Sequence, residues 1–314
     1  MSVLNGGYRL MPFGAERREI DPGSAAATRA ERRDVGQARP AGLFSTCANP
    51  YCRAGWLRLW RRRETPVFEG GWCCSEECTR ACAEAAVSRE MMAWSGVERS
   101  LPHRIPLGLA MLEQGWISQH DLRAALAAQR EAGAGRLGEW LVRHESATQE
   151  EVTRALGLQW SCPVLRVERD DPEELASLMP RFFVDAFGAL PLRVAAKRIA
   201  YLGFEERPDP VLALALERMT GLKVDSGIVE QSMFRKAHAR MLEARFPEAE
   251  LIEAGSRSAL AAVLTRVLEQ TQPREARLVR VHDCLWLRLW KAKPNGPVPG
   301  VDAVRDLICS TALH

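Results

Sequence analysis

The chain has 314 residues, 46% of them hydrophobic and 26% charged, with a formal net charge of +3. That balance belongs to folded chains with room for two or three domains, and it excludes an intrinsically disordered polymer. It also excludes a molecule that is basic all over, and no stretch reaches the ~18 consecutive apolar residues that a membrane-spanning helix requires.

Residues 1–42 are rich in Ala, Gly, Arg and Glu and contain no apolar run of the signal-peptide kind. Such a composition buries too little surface to order itself, so this stretch reads as a disordered tail on a cytoplasmic protein.

A cysteine module follows over residues 43–90. Nine cysteines occur in all, and six fall between positions 47 and 82, which without an export signal points to metal ligation ahead of disulfides. Cys47 and Cys52 form one pair and Cys74 and Cys78, inside "CCSEEC", the other. Two thiolates on a tight turn and two at a helix start can close a tetrahedron around Zn²⁺, and four thiolates leave no open position, so the zinc would be structural. Ser75 is placed to cap that helix. The "CSEEC" element resembles the Cys-Ser-x-x-Cys knuckle of treble-clef-like zinc domains. Cys73 stands where those domains carry an aromatic residue, which leaves Cys73 and Cys82 as alternative ligands; buried small hydrophobes are the plainer reading of all six. The run Arg58, Arg61, Arg62 and Arg63, interleaved with Trp56 and Trp60, reads first as a solvated strand edge and second as a phosphate or protein contact.

Residues 100–163 hold one pattern written twice, "PLGLAMLEQGWISQHDLRAALAAQ" over 106–129 and "RLGEWLVRHESATQEEVTRALGLQ" over 136–159. Each copy predicts a helical hairpin. Leu107, Met111 and Leu112 recur at helical spacing and Gly115 suits a left-handed helix end; Ser118 with Asp121 then caps a second helix. Thr148 with Glu151 repeats that capping pair in the second copy. Two hairpins make a four-helix unit with internal symmetry. The Leu-Gly pair marks a place where something comes close to the backbone, and free N–H groups at a helix start suit an anion such as a phosphate.

This tandem pattern resembles the N-terminal, MshE-type domain of type II secretion and type IV pilus assembly ATPases, whose motif is "Arg-Leu-Gly-x-x-Leu…Gly-x-Ile…Leu-x-x-x-Leu-x-x-Gln". The resemblance implies cyclic di-GMP as a ligand, with Leu107, Gly108, Gln129, Arg136, Leu137, Gly138 and Gln159 as its contacts. Pro106 replaces the motif Arg in the first copy, with Arg104 two residues away; Glu145 and Ala147 replace the turn Gly and the Ile in the second.

Residues 164–248 alternate helix and strand, in an order that resembles the second half of the same domain. A helix over 175–187 broken near Pro180, strands over 191–194 and 198–204, a helix over 211–220 ending at Gly221, a strand over 223–228 and a helix over 231–246 are expected. His238, alone on the last helix, reads as a core or surface histidine. Over 256–314 the pattern gives one helix, a β-hairpin with Trp286 and Trp290 on one face, and a loose tail.

The sequence has no Gly-x-x-x-x-Gly-Lys-Ser/Thr loop to cradle ATP phosphates, no Gly-x-Ser-x-Gly, no His-Glu-x-x-His and no paired carboxylates in an evident cleft, so no enzyme is expected. The fold class read from all this is a multi-domain α+β chain: a small zinc module, a four-helix pseudo-repeat unit and a small α/β sandwich-like subdomain. The resemblance implies a regulatory or adaptor protein lacking the ATPase domain, with zinc and cyclic di-GMP as its small partners. It would dock on a secretion- or pilus-type ATPase or platform, at the inner membrane through that partner. A structural interaction module with a degenerate nucleotide site is the alternative, and a nucleic-acid-binding zinc protein the third reading, disfavoured by the low net charge.

Overall fold

The computed structural model describes residues 47–52, 65–92, 104–167, 172–293, 296 and 298–310. The expected tail over 1–42 and the Trp56–Arg63 cluster lie outside the described residues. No helix among the described residues is long and apolar enough to cross a membrane.

The cysteine segment forms a short antiparallel hairpin, β1 (Val67–Phe68) and β2 (Gly71–Trp72), followed by α1 (Glu76–Met92). Ser75 accepts a hydrogen bond from the Cys78 amide at 3.3 Å, as its capping position requires.

The repeat forms α2 (Leu107–Glu113), α3 (Gln119–Ala132), α4 (Leu137–Arg143) and α5 (Gln149–Trp160). Ser118 with Asp121 and Thr148 with Glu151 each close a full capping box, satisfying two orphan N–H donors per helix start. The buried centre takes matching positions from both copies: Met111 and Leu141, Ile117 and Ala147, Ala125 and Ala155. The hairpin turns also match, since Gly115 (φ 70°) and Glu145 (φ 56°) both adopt the left-handed conformation. Losing the glycine therefore leaves the turn intact and places a side chain in a region that disfavours it.

Next come β3 (Val164–Leu165), α6 (Pro172–Leu175), a 3₁₀ turn over Ala176–Leu178, and α7 (Arg181–Ala186). They lead into β4 (Ala189–Ala195), β5 (Ile199–Phe204), α8 (Pro210–Thr220), β6 (Lys223–Val229) and α9 (Gln231–Glu243). The strands order β3-β6-β5-β4, parallel except for the β4–β5 hairpin. Asp209 caps α8 and Gly221, at φ 76°, ends it. Helix α9 stops at Glu243 instead of 246, because Pro247 disfavours a helical Phe246.

The last part holds β7 (Glu248–Ile252), α10 (Arg257–Thr271), β8 (Glu275–Val281), β9 (Cys284–Trp290) and β10 (Val304–Ser310). The expected hairpin is β8–β9, but the expected loose tail is corrected over 304–310. That segment is an interior strand in the order β7-β10-β9-β8, parallel to β7 and antiparallel to β9. Its run "VRDLICS" gives no clean alternation because both faces of the sheet are covered.

One face, with Val281, Trp286, Trp290 and Ile308, joins a core with Phe183, Leu212, Leu216 and Phe234. The other, with Leu278, Leu285, Leu287 and Leu307, joins Leu260, Leu264 and Leu268 of α10 and Phe68, Cys73, Ala83 and Val87 of the cysteine segment. The expected separate module over 43–90 is thereby corrected as well: too small to bury a core by itself, it shares one with the C-terminal sheet. The Glu69 amide donates to Ala276 O at 2.8 Å and the Val67 amide to Pro273 O at 3.1 Å, which covers the β8 edge. Glu90, 1% exposed, receives both terminal nitrogens of Arg218 at 2.6 and 2.8 Å and so ties α1 to α8. Burial pushes the Glu90 carboxyl up, but the hydrogen bond and charge of Arg218, and then Arg89, outweigh it and hold it below its usual range.

Candidate functional site

The repeat and the α/β half enclose a cleft of about 260 Å³. Leu107, Arg136, Gly138 and Gln159, from both copies of the pattern, line it, together with Gln149, Thr153 and Trp160 on α5 and Glu205, Glu206, Arg207 and Gln231 opposite.

The two motif glycines serve helix packing. A Cβ on Gly108 would stand 2.6 Å from Leu122 and 3.2 Å from Leu137, and one on Gly138 would stand 2.7 Å from Val152 and 3.6 Å from Leu107. These neighbours are again equivalent between the copies, so the backbone approach expected at Leu-Gly is made first by the second helix of the same hairpin and then by the leucine of the other copy's Leu-Gly pair. That corrects the expected anion contact at Gly108, which is buried under Leu122; Leu137 likewise packs into the four-helix centre.

The two motif glutamines are also equivalent and also engaged. Gln129 donates to Gly135 O at 2.8 Å and Gln159 to Ile105 O at 3.0 Å. Each amide thus fastens the segment leading into the other copy's Leu-Gly helix. Gln129 does not reach the cleft.

Charge in the cleft is unevenly spent. Arg136 sits between Glu206, with which it makes an ion pair, and Glu205 at 3.8 Å. Its amide donates to Glu139, which is held below the usual carboxylate range by that bond first and by Gln231 and Arg136 after it. Gln231 bridges Glu139 and Glu205 at 3.3 and 2.8 Å, and Arg235 reaches Glu205 at 2.9 Å. At Trp160 the balance reverses. The Arg104 guanidinium lies 3.2 Å and that of Arg207 5.4 Å from the indole centre. Lost hydration and then the Arg207 charge pull Arg104 below its usual range. Trp160 follows the final motif Gln directly, and "EER" over 205–207 comes just after β5. Neither had a pattern that sequence reasoning could have read as a site.

A second cluster joins Cys47, Cys52, Cys74 and Cys78, whose sulfurs all lie within 4.8 Å of one another. Cys52 is 3.4 Å from Cys74 and 3.2 Å from Cys78, and Cys74 is 3.6 Å from Cys78. Zn–S bonds of about 2.3 Å place tetrahedral sulfurs roughly 3.8 Å apart, so the donor set and its spacing fit a thiolate-bound metal. Asn49 donates an N–H to the Cys78 sulfur at 3.4 Å. Burial pushes the Cys78 thiol up, but hydrogen bonds with Ser75, Asn49, Cys52 and Cys74 outweigh it and bring it to about 6. Cys74, pushed up to about 12 by burial and its sulfur neighbours, would need the metal's charge to ionise. The alternative ligands are elsewhere: Cys73 is buried in the apolar core, and its thiol is pushed up first by a hydrogen bond with Cys82 and then by burial.

No family model and no curated protein matches the chain. Among solved structures it is similar to one of MshE with cdg, at 23% identity and a TM-score of 0.36, over 44% of this chain and 99% of that one. It is also similar to the N-terminal domain of XpsE, at 19% identity in two crystal forms. One has a TM-score of 0.31, over 43% of this chain and 92% of that one. The other has a TM-score of 0.24, over 45% of this chain and 99% of that one. Each of them leaves more than half of this chain unmatched.

Proposed function

We propose that the chain is a non-catalytic regulatory or adaptor protein whose cleft takes a small nucleotide of the cyclic di-GMP kind. One observation carries this reading: residues of both repeat copies, Leu107 from the first and Arg136, Gly138 and Gln159 from the second, meet on one cleft that Trp160 and Arg207 also line, with Arg104 stacked on the same indole. Leu107, Val152 and Leu156 give it an apolar lining beside a few polar side chains, the usual make-up of a small-ligand site. The cysteine cluster holds a structural zinc and has no part in binding. A bound nucleotide bridges the four-helix unit and the end of β5, and that coupling is what a docked secretion- or pilus-type ATPase or membrane platform would read. The protein itself is cytoplasmic, peripheral to the inner membrane only through that partner.

Titration of the zinc-loaded full chain with cyclic di-GMP in a calorimeter tests this. Micromolar or tighter binding, lost when Gln149→Trp fills the cleft, supports it. A folded protein that gives no heat overturns it. The engaged state of Arg136, Gln129 and Gln159 would then favour the second reading, a protein-interaction scaffold in which the motif survives for its packing. A nucleic-acid partner is disfavoured by Glu139, Glu205 and Glu206 on the cleft wall.

A further inference from the structure

Charge accounting separates the arginines around the cleft. Arg136 faces two carboxylates, and a phosphate placed there would have to displace Glu205 and Glu206. Arg104 and Arg207 are different. Among the described residues neither has a carboxylate within ion-pair distance, yet both guanidiniums converge on the one indole of Trp160. Holding two like charges beside one ring costs Coulomb energy that a bound anion reverses. A guanidinium on an indole face is also pre-set in direction, so its N–H fork loses little freedom on meeting a phosphate.

The position is built by the fold. Gln159 holds Ile105 O, which fixes the strand of chain carrying Arg104 against the end of α5. Arg207 comes from the opposite wall, between β5 and the Asp209 cap of α8. Pro106 occupies the position that corresponds to Arg136 in the second copy, so the first copy brings no side-chain cation at that point.

We infer that Arg104, Arg207 and Trp160 form the phosphate subsite of the cleft, while Arg136 is a positioning residue that holds Glu205 and Glu206. This rests on the nucleotide reading above for its ligand, and on the unpartnered guanidiniums for its place. The subsite takes a phosphodiester or pyrophosphate group, with the adjoining base or sugar toward Leu107 and Leu156.

The test titrates the full chain with cyclic di-GMP and, separately, with inorganic pyrophosphate, at low and high salt, in wild type and in Arg104→Gln, Arg207→Gln and Arg136→Gln. Circular dichroism checks that each variant is folded. The expected result is about a tenfold loss for both ligands in each of the first two variants, the size of one charge-assisted hydrogen bond. Their salt dependence also flattens, while Arg136→Gln changes affinity less than about threefold. Normal binding in the Arg104 and Arg207 variants with loss in Arg136→Gln overturns the subsite and leaves the nucleotide reading standing. Pyrophosphate binding that needs Arg207, with no heat from cyclic di-GMP, overturns the nucleotide reading and supports the subsite. No binding of either ligand overturns both.

Discussion

Arg288 and Asp306 are register partners across β9 and β10, both fully buried, and they meet in a two-pronged ion pair with Nε–Oδ1 at 2.7 Å and Nη2–Oδ2 at 2.8 Å. Trp286 donates to the same carboxylate at 2.8 Å, and the remaining guanidinium nitrogen donates to Ser177 O and Leu178 O at 2.9 Å each. The pair thus pins the 3₁₀ turn of the α/β half onto the C-terminal sheet with every guanidinium nitrogen engaged. Asp306→Ala strands a buried cation and should cost about 3–5 kcal/mol, whereas Arg288→Met with Asp306→Leu should cost far less. Urea unfolding of the single and double variants checks this; additive losses would show that the two residues do not act as a unit.

The equivalent glycines give a paired prediction. Gly108→Ala and Gly138→Ala each push a methyl into a facing side chain and should destabilise by about 1–3 kcal/mol. Glu145→Gly should do the opposite, stabilising by up to about 1 kcal/mol, because its backbone is already left-handed. Thermal melts of the three variants read the signs directly.

His282 and Asp209 supply a pH dependence. His282 Nε2 lies 2.6 Å from Asp209 Oδ2, a bond that raises the imidazole pKa above its usual value; Asp283 adds to this, while burial and Arg207 oppose it. Asp209 is depressed, since the imidazolium and the α8 amides outweigh the effect of its burial. The His contribution is complete below about 6.5, its unfolded value, and is lost as pH rises through the higher folded value. The Asp contribution is complete above about 3.9 and is lost as pH falls through the lower folded value. Between these limits both are present. The stability gap between wild type and His282→Gln should therefore be widest in mildly acidic buffer and narrow above neutrality, as denaturant midpoints across pH would show.

Metal removal should reach well beyond the thiols. With a zinc bound by Cys47, Cys52, Cys74 and Cys78, chelation or Cys74→Ser frees the start of α1, which packs on α10 and β8. Amide exchange should then accelerate in α10 and β8 as well as around the cysteines. Faster exchange confined to 47–80 would mean that the sheet core stands without the metal.

Much of this was legible in the chain. Helix caps at Ser118 and Thr148 and the stop at Gly221 are local signals, and they appear where local chemistry places them. The thirty-residue repeat disclosed the four-helix unit, and the cysteine spacing disclosed the four sulfurs that meet. What escaped was set by partners distant in sequence. β10 lacks alternation because it is covered on both faces, and "LWLRLW" conceals in Arg288 a charge whose partner lies eighteen residues on. The repeat residues were read for a ligand, yet Gly108 answers to Leu122 of its own hairpin and Gln129 to the segment that leads into the other copy, and the cleft wall at 205–207 carries no motif at all.

The order of the last sheet has a consequence for synthesis on the ribosome. β7, α10, β8 and β9 all emerge before β10, which must then enter between β7 and β9. Until it does, β7 has no strand neighbour, the β8–β9 hairpin has an open edge, and the core shared with α1 lacks Leu307 and Cys309. The nascent chain therefore carries an unfinished core until β10 has emerged, and closure should be slow and all at once. A ribosome that stalls anywhere before residue 304 would leave these surfaces open to the cell's quality-control proteases.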